Sequence, residues 1–544
     1  MKRTNLLGIC CNWSPYACYN AAGMNQMKLP PNFHLIRVMC IGRINQALIL
    51  RAFEYGADGV ILLECKDEDC RYGPGPEVGH VNVQRVRRLL HLLGIGQDRL
   101  VERSFATHEK EEFVRAIWDF ADRIERLGTN PAKPPLVTRR DISENGRHID
   151  RIIREQGLYQ CLECGKCSAS CPRQLTGKEY SPRLLAHKLI AEREDESFIE
   201  SSVWECLTCG LCQERCPSDV VISQLILEMR TVLAGSKGLK GFRSHDGALH
   251  SWMRIMTSPD ITQNRTDWID QDLRVHSSGP LAFFTGCAPY FDVFFSGIEV
   301  NTLSIVRDSV RLLNFLGVEP VVLPNERCCG HDLLWTGDRE NFEKLCRQNY
   351  EELKDAGVEE LVVSCPECFH IFSNHIKQVI PGFDIKITLL IDMVEREIKK
   401  GGLAFRPFKR KGTFQDPCRL GRMSGRYDEP RELLSMIPDF NLREMENSGR
   451  SAICCGNNAF INCDAYSKRI QVQRLREAKA TGAGLLVTNC PKCMIHLTCT
   501  MRDPIGRGSL AIEIRDLISV LADQIEWSGK EELLTARKSR EGQS

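Results

Sequence analysis

The sequence of 544 residues predicts an α/β multidomain protein: an open parallel α/β domain first, an all-α domain next, and a duplicated α/β domain at the end. Three observations predict this organisation. Short apolar runs alternate with amphipathic stretches at both ends of the chain, the middle shows helical periodicity without strand signals, and one cysteine pattern occurs twice. A chain of this length exceeds what one hydrophobic core organises. We expect domains at 1–128, 141–233, 280–400 and 401–527.

The composition excludes several classes of protein. Hydrophobic residues make up 42% and charged residues 26%, and the formal net charge is +1, which indicates neither a disordered chain nor a nucleic-acid-binding protein. The N-terminal MKRTNLLGICCNWSP lacks a signal-peptide cleavage site, and no apolar run reaches the roughly 18 residues of a membrane helix. The 27 cysteines therefore predict metal-binding thiols in a cytoplasmic protein that contacts membranes only through a partner.

The first domain has cysteines where its predicted strands end. The runs NLLGICC, HLIRVMC and GVILLEC have strand length, and helix-like sequence follows each of them. Parallel α/β sheets bind ligands at the carboxyl ends of their strands. We therefore expect four metal-binding thiolates at that edge, from Cys11, Cys40, Cys65 and Cys70. Cys10 could exchange roles with Cys11, and buried cysteines without metal are the alternative.

The middle of the chain is predicted to be helical. Thr129–Arg140 contains three prolines and two adjacent arginines, which is typical of a linker. After it, RHIDRIIREQ, RLLAHKLIAERE and VISQLILEMRTVL have helical periodicity. Residues 234–279 have little periodicity, and we expect an extended connection there.

Two cysteine runs in this helical domain have the spacing C-x2-C-x2-C-x3-C-P, which is typical of two-cluster ferredoxins. In such runs three close thiolates bind one [4Fe-4S] cluster, and the cysteine before the proline binds the other cluster. The spacing assigns one cluster to Cys161, Cys164, Cys167 and Cys216, and the other to Cys206, Cys209, Cys212 and Cys171. A pair of zinc sites is the alternative, since CxxC alone would suffice for zinc.

The C-terminal part contains one pattern of five cysteines twice. The copies are Cys287, Cys328, Cys329, Cys365 and Cys368, then Cys418, Cys454, Cys455, Cys490 and Cys493. Corresponding cysteines lie 131, 126 or 125 positions apart, which indicates an internal duplication. Each copy contains a Cys-Cys-Gly (CCG) motif, and five thiols with two adjacent cysteines suit a larger cluster better than one tetrahedral ion. A zinc or cubane site with a spare thiol and a thioredoxin-type dithiol are the alternatives.

The two CCG copies resemble the cysteine-rich domains of heterodisulfide reductase and of iron–sulfur subunits of glycolate oxidase and glycerol-3-phosphate dehydrogenase. The helical domain resembles the small ferredoxin-like subunit of that reductase. This resemblance implies a noncubane [4Fe-4S] cluster on the five cysteines of each copy. It also implies a catalytic role for these ten cysteines, at a cavity where a disulfide is split by one-electron steps.

The first domain resembles the small iron–sulfur (delta) subunit of the methyl-viologen-reducing hydrogenase in the stretches ICCNW, IRVMCIGR and GADGVILLECKDEDCRYG. That resemblance implies a [2Fe-2S] cluster on four cysteines and docking to the flavin subunit of heterodisulfide reductase. Many members of that family have a further cysteine where Ser14 stands here.

The order of these centres predicts an electron chain between the first domain and the CCG copies, along which electrons could run in either direction. The leading hypothesis is reduction of a small disulfide with electrons from a flavin-containing reductase subunit, a hydrogenase or a formate dehydrogenase, because the chain has no GxGxxG fingerprint of its own. The alternative is a non-catalytic electron-transfer subunit that links a dehydrogenase to a quinone-reactive membrane complex. His331 and Lys492 are either hydrogen-bond donors to substrate or cluster, or ordinary polar lining. We expect the remaining cysteines to serve packing: Cys10, Cys18, Cys346, Cys463 and Cys499.

Overall fold

The computed structural model describes residues 4–132, 145–191, 196–237, 243–401, 403–504 and 508–525. The chain forms two compact units, and the first consists of Met1–Val137 with Ser244–Arg265. The second consists of Thr138–Arg243 with Thr266–Ser544. Most of the predicted linker, from residue 133 onward, lies outside the described residues.

The strands of the described residues pair in parallel throughout. In chain order they are β1 (Leu6–Cys11), β2 (Phe33–Val38), β3 (Gly59–Cys65), β4 (Leu100–Phe105), β5 (Leu281–Phe284), β6 (Glu360–Val363), β7 (Lys386–Leu389), β8 (Arg410–Gln415), β9 (Phe440–Leu442), β10 (Leu485–Thr488) and β11 (Glu513–Asp516). They form three sheets, with the orders β2-β1-β3-β4, β5-β6-β7 and β11-β10-β8-β9.

The helices connect these strands and build the middle of the chain. In chain order they are α1 (Ser14–Met24), α2 (Gln46–Glu54), α3 (Gly75–Leu92), α4 (Lys110–Leu127), α5 (Asn145–Glu155), α6 (Lys166–Ala169), α7 (Pro172–Leu175), α8 (Pro182–Ala191), α9 (Glu196–Glu205), α10 (Leu211–Glu214), α11 (Ile222–Lys237), α12 (Ala248–Ile255), α13 (Ala288–Phe294), α14 (Leu303–Phe315), α15 (His331–Trp335), α16 (Arg339–Asp355), α17 (Pro366–His370), α18 (Ile376–Val379), α19 (Leu390–Lys399), α20 (Glu429–Ser435), α21 (Ala465–Ala480), α22 (Pro491–Arg502) and α23 (Leu517–Gln524). A π-helical turn, Ile371–His375, joins α17 to α18.

The first unit is the predicted open parallel α/β domain. All seven residues of β3 are buried, as expected for a parallel strand covered by helices on both faces. The helix α4 buries Phe113, Ile117, Phe120 and Ile124, whose spacing of three or four residues puts them on one face. The predicted strands were found, and β4 joins them although its sequence LVERSF lacks a long apolar run.

The expectation of an extended connection over residues 234–279 was wrong. The segment contains helix α12, and every residue of that helix is buried. Its sequence, ALHSWMRI, includes buried polar side chains, so the contrast between a polar and an apolar face that marks a surface helix is missing. One of these buried polar side chains is Arg254, and its burial is explained by a partner: its Nε donates to Glu54 Oε1 of α2 over 2.5 Å.

Replacing Arg254 with Met would leave the Glu54 carboxylate buried without its ion-pair partner. We expect this to destabilise the packing of α12 on α2 by about 3–5 kcal/mol. Hydrogen exchange followed by mass spectrometry on the full chain would show faster exchange in peptides covering residues 46–54 and 248–255. Arg123→Met is the matched control, because Arg123 lies 3.9 Å from Asp98 in an exposed pair and its loss should change stability by less than about 0.5 kcal/mol. Unchanged exchange in R254M would refute the role of the buried pair.

The second unit contains the all-α segment and both CCG copies. The helices α5 to α11 surround a core that includes Ile153, Leu185 and Leu225 together with several cysteines. Among the described residues no strand interrupts α5 to α11, as the periodicity predicted.

The two CCG copies have the same topology. In the second copy β8 lies between β9 and β10, and β11 follows β10. In the first copy, β5 takes the place of β8, β6 that of β10, and β7 that of β11. The place of β9 is taken by Val321, which forms a bridge with Ala282 of β5. The predicted strand EPVVLP is therefore reduced to isolated bridges at Val321. The α/β multidomain fold with a duplicated C-terminal part is confirmed.

Candidate metal centres

The four predicted cysteines of the first unit come together at the carboxyl edge of its sheet. Cys65 Sγ lies 3.6 Å from Cys11 Sγ. A Cβ atom on Gly75 would come within 2.7 Å of Cys40 Sγ and 2.9 Å of Cys70 Sγ, so these two thiols lie against the same stretch of backbone and the position requires glycine. A set of four close thiols suits a [2Fe-2S] cluster.

The thiols of this set have shifted proton affinities. The hydrogen bond between the two thiols lowers the pKa of Cys65 to about 6 and raises the pKa of Cys11. Ser14 also hydrogen-bonds Cys65, so the residue that stands in place of the family's extra cysteine contacts this site. A thiol with a lowered pKa loses its proton more readily, and the resulting thiolate is the form that binds metal.

The neighbouring Cys10 faces the opposite side of the sheet. Successive residues of a strand alternate between its faces, and Cys10 packs in the core with Cys18. The Cys18 thiol donates to the carbonyl oxygen of Ala106 over 3.0 Å. The structure thus puts Cys11, and not Cys10, beside the other thiols.

The eight cysteines of the helical segment form two sets that interlock. Cys216 lies near Cys161 and Cys167, and Cys171 lies near Cys206 and Cys209. The fourth cysteine of each run therefore lies beside the set of the other run. Both donor sets fit a [4Fe-4S] cluster held by four thiolates.

The two sets differ in exposure. In the first set Cys164 is exposed, and Leu162 beside it has 70% of its surface exposed. In the second set Cys206, Cys209 and Cys212 are all buried. Burial also raises the pKa of Cys171, the fourth member of that set, to about 12. Of these two sets, as the described residues place them, the first is the one that a protein approaching from solvent can reach.

The five cysteines of the first CCG copy line one cavity. Cys287 Sγ lies 3.3 Å from Cys328 Sγ, and Cys368 hydrogen-bonds both Cys329 and Cys365. They converge because the CCG turn and the Cys365-Pro-Glu-Cys368 turn both lie near the carboxyl ends of β5 and β6. Gly330 permits the sharp turn, since its φ is +80°.

The second copy gathers its five cysteines in the same way. Cys454 hydrogen-bonds Cys418 and Cys455, and Cys493 hydrogen-bonds Cys455 and Cys490. The bond from Cys454 lowers the pKa of Cys418 to about 7. Each copy thus provides a mostly buried set of five sulfur donors, which suits an iron–sulfur centre larger than a single ion.

The second set of the helical segment is next to the second CCG copy. The thiols of Cys209 and Cys454 are close enough to hydrogen-bond, which lowers the pKa of Cys209 to about 6. Arg422 Nε donates to the carbonyl oxygen of Cys209 over 2.6 Å. Both cysteines also belong to one buried cluster, so the two sets adjoin within one compact unit.

Arg419 connects the helical segment to both CCG copies. Its Nη1 donates to the carbonyl oxygen of Thr208 over 2.7 Å, and its Nε lies 3.0 Å from His331 Nε2. The guanidinium also stacks over Trp335, 4.0 Å from the ring centroid. One buried arginine, adjacent in sequence to Cys418, thus contacts three parts of the second unit.

A buried charged cluster lies in the cavity of the first copy. Lys492 of the second copy forms ion pairs with Asp332 and Glu367 of the first copy, and its Nζ lies 2.6 Å from Glu367 Oε2. His331 Nδ1 lies 2.8 Å from Asp332 Oδ1. Because Arg419 donates to His331 Nε2, the ring proton is on Nδ1 and is donated to Asp332. Burial and the nearby cations keep the pKa of His331 well below its usual range.

Sequence reasoning left His331 and Lys492 as either hydrogen-bond donors or polar lining, and it missed their partners. Nothing in the sequence marks Asp332, Glu367 or Arg419 as members of a site, since each is a single polar residue near a motif. The difference between Cys-Pro-Glu-Cys in one copy and Cys-Pro-Lys-Cys in the other is the signal that could have suggested a cross-copy ion pair. Cys499, one of the five cysteines expected to serve packing, accepts a hydrogen bond from Lys468 Nζ over 3.1 Å.

Comparison with protein families gives three matches. The methyl-viologen-reducing hydrogenase delta subunit matches residues 6–128, and the 4Fe-4S dicluster domain matches residues 157–220. The cysteine-rich CCG domain matches twice, at residues 281–373 and 412–498.

Three relatives match different shares of the chain. An uncharacterized iron–sulfur protein from Methanococcus maripaludis is 26% identical, over 76% of this chain and 81% of its own length. A subunit of dihydromethanophenazine:CoB–CoM heterodisulfide reductase from Methanosarcina acetivorans is 26% identical, over 68% of this chain and 95% of its own length. An iron–sulfur subunit of an F420-non-reducing hydrogenase from Methanococcus voltae is 38% identical, over 23% of this chain and 85% of its own length.

The fold, the grouped thiols and these matches define an iron–sulfur protein with an electron-transfer role. The chain has an N-terminal domain of the methyl-viologen-reducing hydrogenase delta family, followed by a 4Fe-4S dicluster domain and two CCG domains, and heterodisulfide reductase subunits are among its relatives. Among the described residues, no helix combines the length and the apolarity needed to cross a bilayer.

We expect the anaerobically purified chain to contain about 18 iron atoms, from one two-iron and four four-iron clusters. Cys329→Ala removes one thiol of the first CCG set and should lower the total by about four iron atoms. Iron and acid-labile sulfide assays measure both changes. Cys346→Ala is the matched control, because this cysteine is buried in α16 of the same copy but is not one of the five. A wild-type total near 10 would contradict cluster binding by the CCG copies while leaving the other sets in place.

Proposed function

We propose that this chain is an electron-transfer and disulfide-reducing subunit of a heterodisulfide-reductase-like complex in the cytoplasm. Its cysteine sets would hold one [2Fe-2S] cluster, two cubane [4Fe-4S] clusters and two noncubane [4Fe-4S] clusters. When bound, these clusters would accept and donate single electrons. The residues of the chain position the cluster sites and determine which surfaces a partner can reach.

The observation that carries this proposal is the contact between Cys209 and Cys454. It puts the second set of the helical segment beside the second CCG set, in one buried cluster. Electron transfer requires closely spaced centres, and the protein tunes each through burial and hydrogen bonds to sulfur.

The exposure of the cysteine sets supports a route from solvent to the CCG copies. A redox partner can approach the first set at Cys164 and Leu162, whereas the second set is buried. The chain has no dinucleotide fingerprint, so we propose that a flavin-containing reductase subunit, a hydrogenase or a formate dehydrogenase supplies the electrons.

The reaction that we propose is the two-electron reduction of a small disulfide. The sulfur–sulfur bond breaks, two electrons and two protons are added, and two thiols leave. The CCG copies supply the site, because the cavity of the first copy contains its five thiols together with His331, Asp332 and Glu367.

A relay without catalysis is the second candidate, and one observation favours it. In the described part of this cavity, Lys492 pairs with Asp332 and Glu367 and His331 pairs with Asp332. The cavity therefore offers a charged substrate no cation outside these internal pairs. A subunit that passes electrons to a quinone-reactive membrane complex would need no substrate contact there.

A turnover assay tests this proposal: the anaerobic protein is mixed with reduced viologen as electron donor and with a neutral, a cationic or an anionic small disulfide. We expect two thiols to be released for every two electrons consumed, together with a change in the electron paramagnetic resonance signals of the CCG sets. Cys455→Ala should abolish thiol release and leave the signals of the two middle clusters unchanged.

Cys499→Ala is the control, because Cys499 belongs to none of the five-cysteine sets and should retain full turnover. Thiol release by C455A at the wild-type rate would contradict a catalytic role of the second copy. A wild-type protein that ignores every disulfide but reduces a quinone analogue would support the relay instead.

A further inference from the structure

The two CCG copies differ in charge at equivalent positions. The turn between the last two cysteines contains Glu367 in the first copy and Lys492 in the second. The third residue after the second cysteine of the CCG motif is Asp332 in the first copy and Asn458 in the second. The first copy thus contributes two acidic residues, and the second contributes one basic residue.

The folded chain brings these residues together in the first copy. Lys492 extends from the turn of the second copy into the cavity that contains Cys287, Cys328, Cys329, Cys365 and Cys368. Its ammonium contacts Glu367 and Asp332, and the three side chains have exposures of 7%, 10% and 3%. The charge of Lys492 therefore acts at the first copy, although its backbone belongs to the second.

Burial makes this charge effective. A charge interacts with its neighbours much more strongly in a buried site than in water, because solvent screens it less. Adding one electron to a set of iron-bound thiolates adds one negative charge there. A nearby ammonium favours that reduced form, and nearby carboxylates oppose it.

We infer that Lys492 sets the reduction potential of the first CCG centre from the second copy, with Glu367 acting in the opposite direction. The inference rests on the proposed function, since it requires a cluster in each copy. If so, the potential of the first CCG centre is adjusted by Lys492, a residue that lies between two cysteines of the second centre. Lys492 thereby couples the two copies electrostatically as well as structurally.

The experiment is a redox titration of the full anaerobic chain, followed by electron paramagnetic resonance. The signal of the first CCG centre is identified as the one that Cys329→Ala removes. In Lys492→Met we expect the midpoint potential of that signal to fall, so that the ratio of reduced to oxidised centre at the wild-type midpoint drops roughly tenfold or more. In Glu367→Gln we expect the midpoint potential of the same signal to rise.

Two further variants separate charge from packing. Lys492→Arg retains the charge and should restore most of the wild-type potential. Lys468→Met removes another lysine of the second copy, one that contacts Cys499 and Thr500, and should leave the potential unchanged. A fall in K492M and a rise in E367Q are two opposite shifts, which general loosening of the site would not produce.

The inference is overturned if the midpoint potential of the signal is unchanged in E367Q, or if it shifts in the same direction in K492M and E367Q. If K492M does not fold, E367Q and K492R still decide the question. A wild-type protein without any CCG signal would instead refute the proposed function, and with it the basis of this inference.

Discussion

The structure depends on gathering thiols from distant parts of the chain into a few buried sites. Thiolates repel one another, and burial opposes their charge, so such sites are costly unless a cation lies among them. Parallel strands meet this requirement geometrically, because their carboxyl ends share one edge and the turns after them converge. Cys11 and Cys65 in the first unit, and the turns after β5 and β6 in the second, show the same arrangement.

The second unit holds its sites together with buried arginines. Arg419 and Arg422 donate to carbonyl oxygens of the loop at Thr208 and Cys209. These hydrogen bonds hold the helical segment against the second CCG copy, beside Cys209 and Cys454. Arg173 has a similar structural role, since its buried guanidinium donates to Asp464 over 2.8 Å. Contacts of charged groups with backbone and carboxylate oxygens are stronger than neutral hydrogen bonds.

Much of this arrangement could be predicted from the sequence, because each cysteine run has a spacing with a chemical meaning. The interlocked sets that include Cys171 and Cys216 required only the ferredoxin spacing and its proline. The duplicated copies followed from the repeated intervals. Short edge strands such as β7, β9 and β11 were not predicted, since KITL, FNL and EIRD contain too few apolar residues to stand out.

The rest depends on tertiary contacts that the sequence does not reveal. Helix α12 was missed because Arg254 and His250 are buried polar residues, and the pairing of Arg254 with Glu54 depends on a contact between distant parts of the chain. The cluster around Lys492 was missed because its members come from different copies. The choice between Cys10 and Cys11 could be resolved only when the strand register showed which side chain faces the core.

The most direct test of the whole account is a measurement of magnetic coupling between centres. Because Cys209 and Cys454 are in contact, the buried middle cluster and the cluster of the second CCG copy should be close neighbours in the anaerobic, partly reduced protein. We predict electron paramagnetic resonance lines that are split or broadened by mutual coupling, and accelerated spin relaxation of both centres. Narrow, independent signals from well-separated centres would contradict the account.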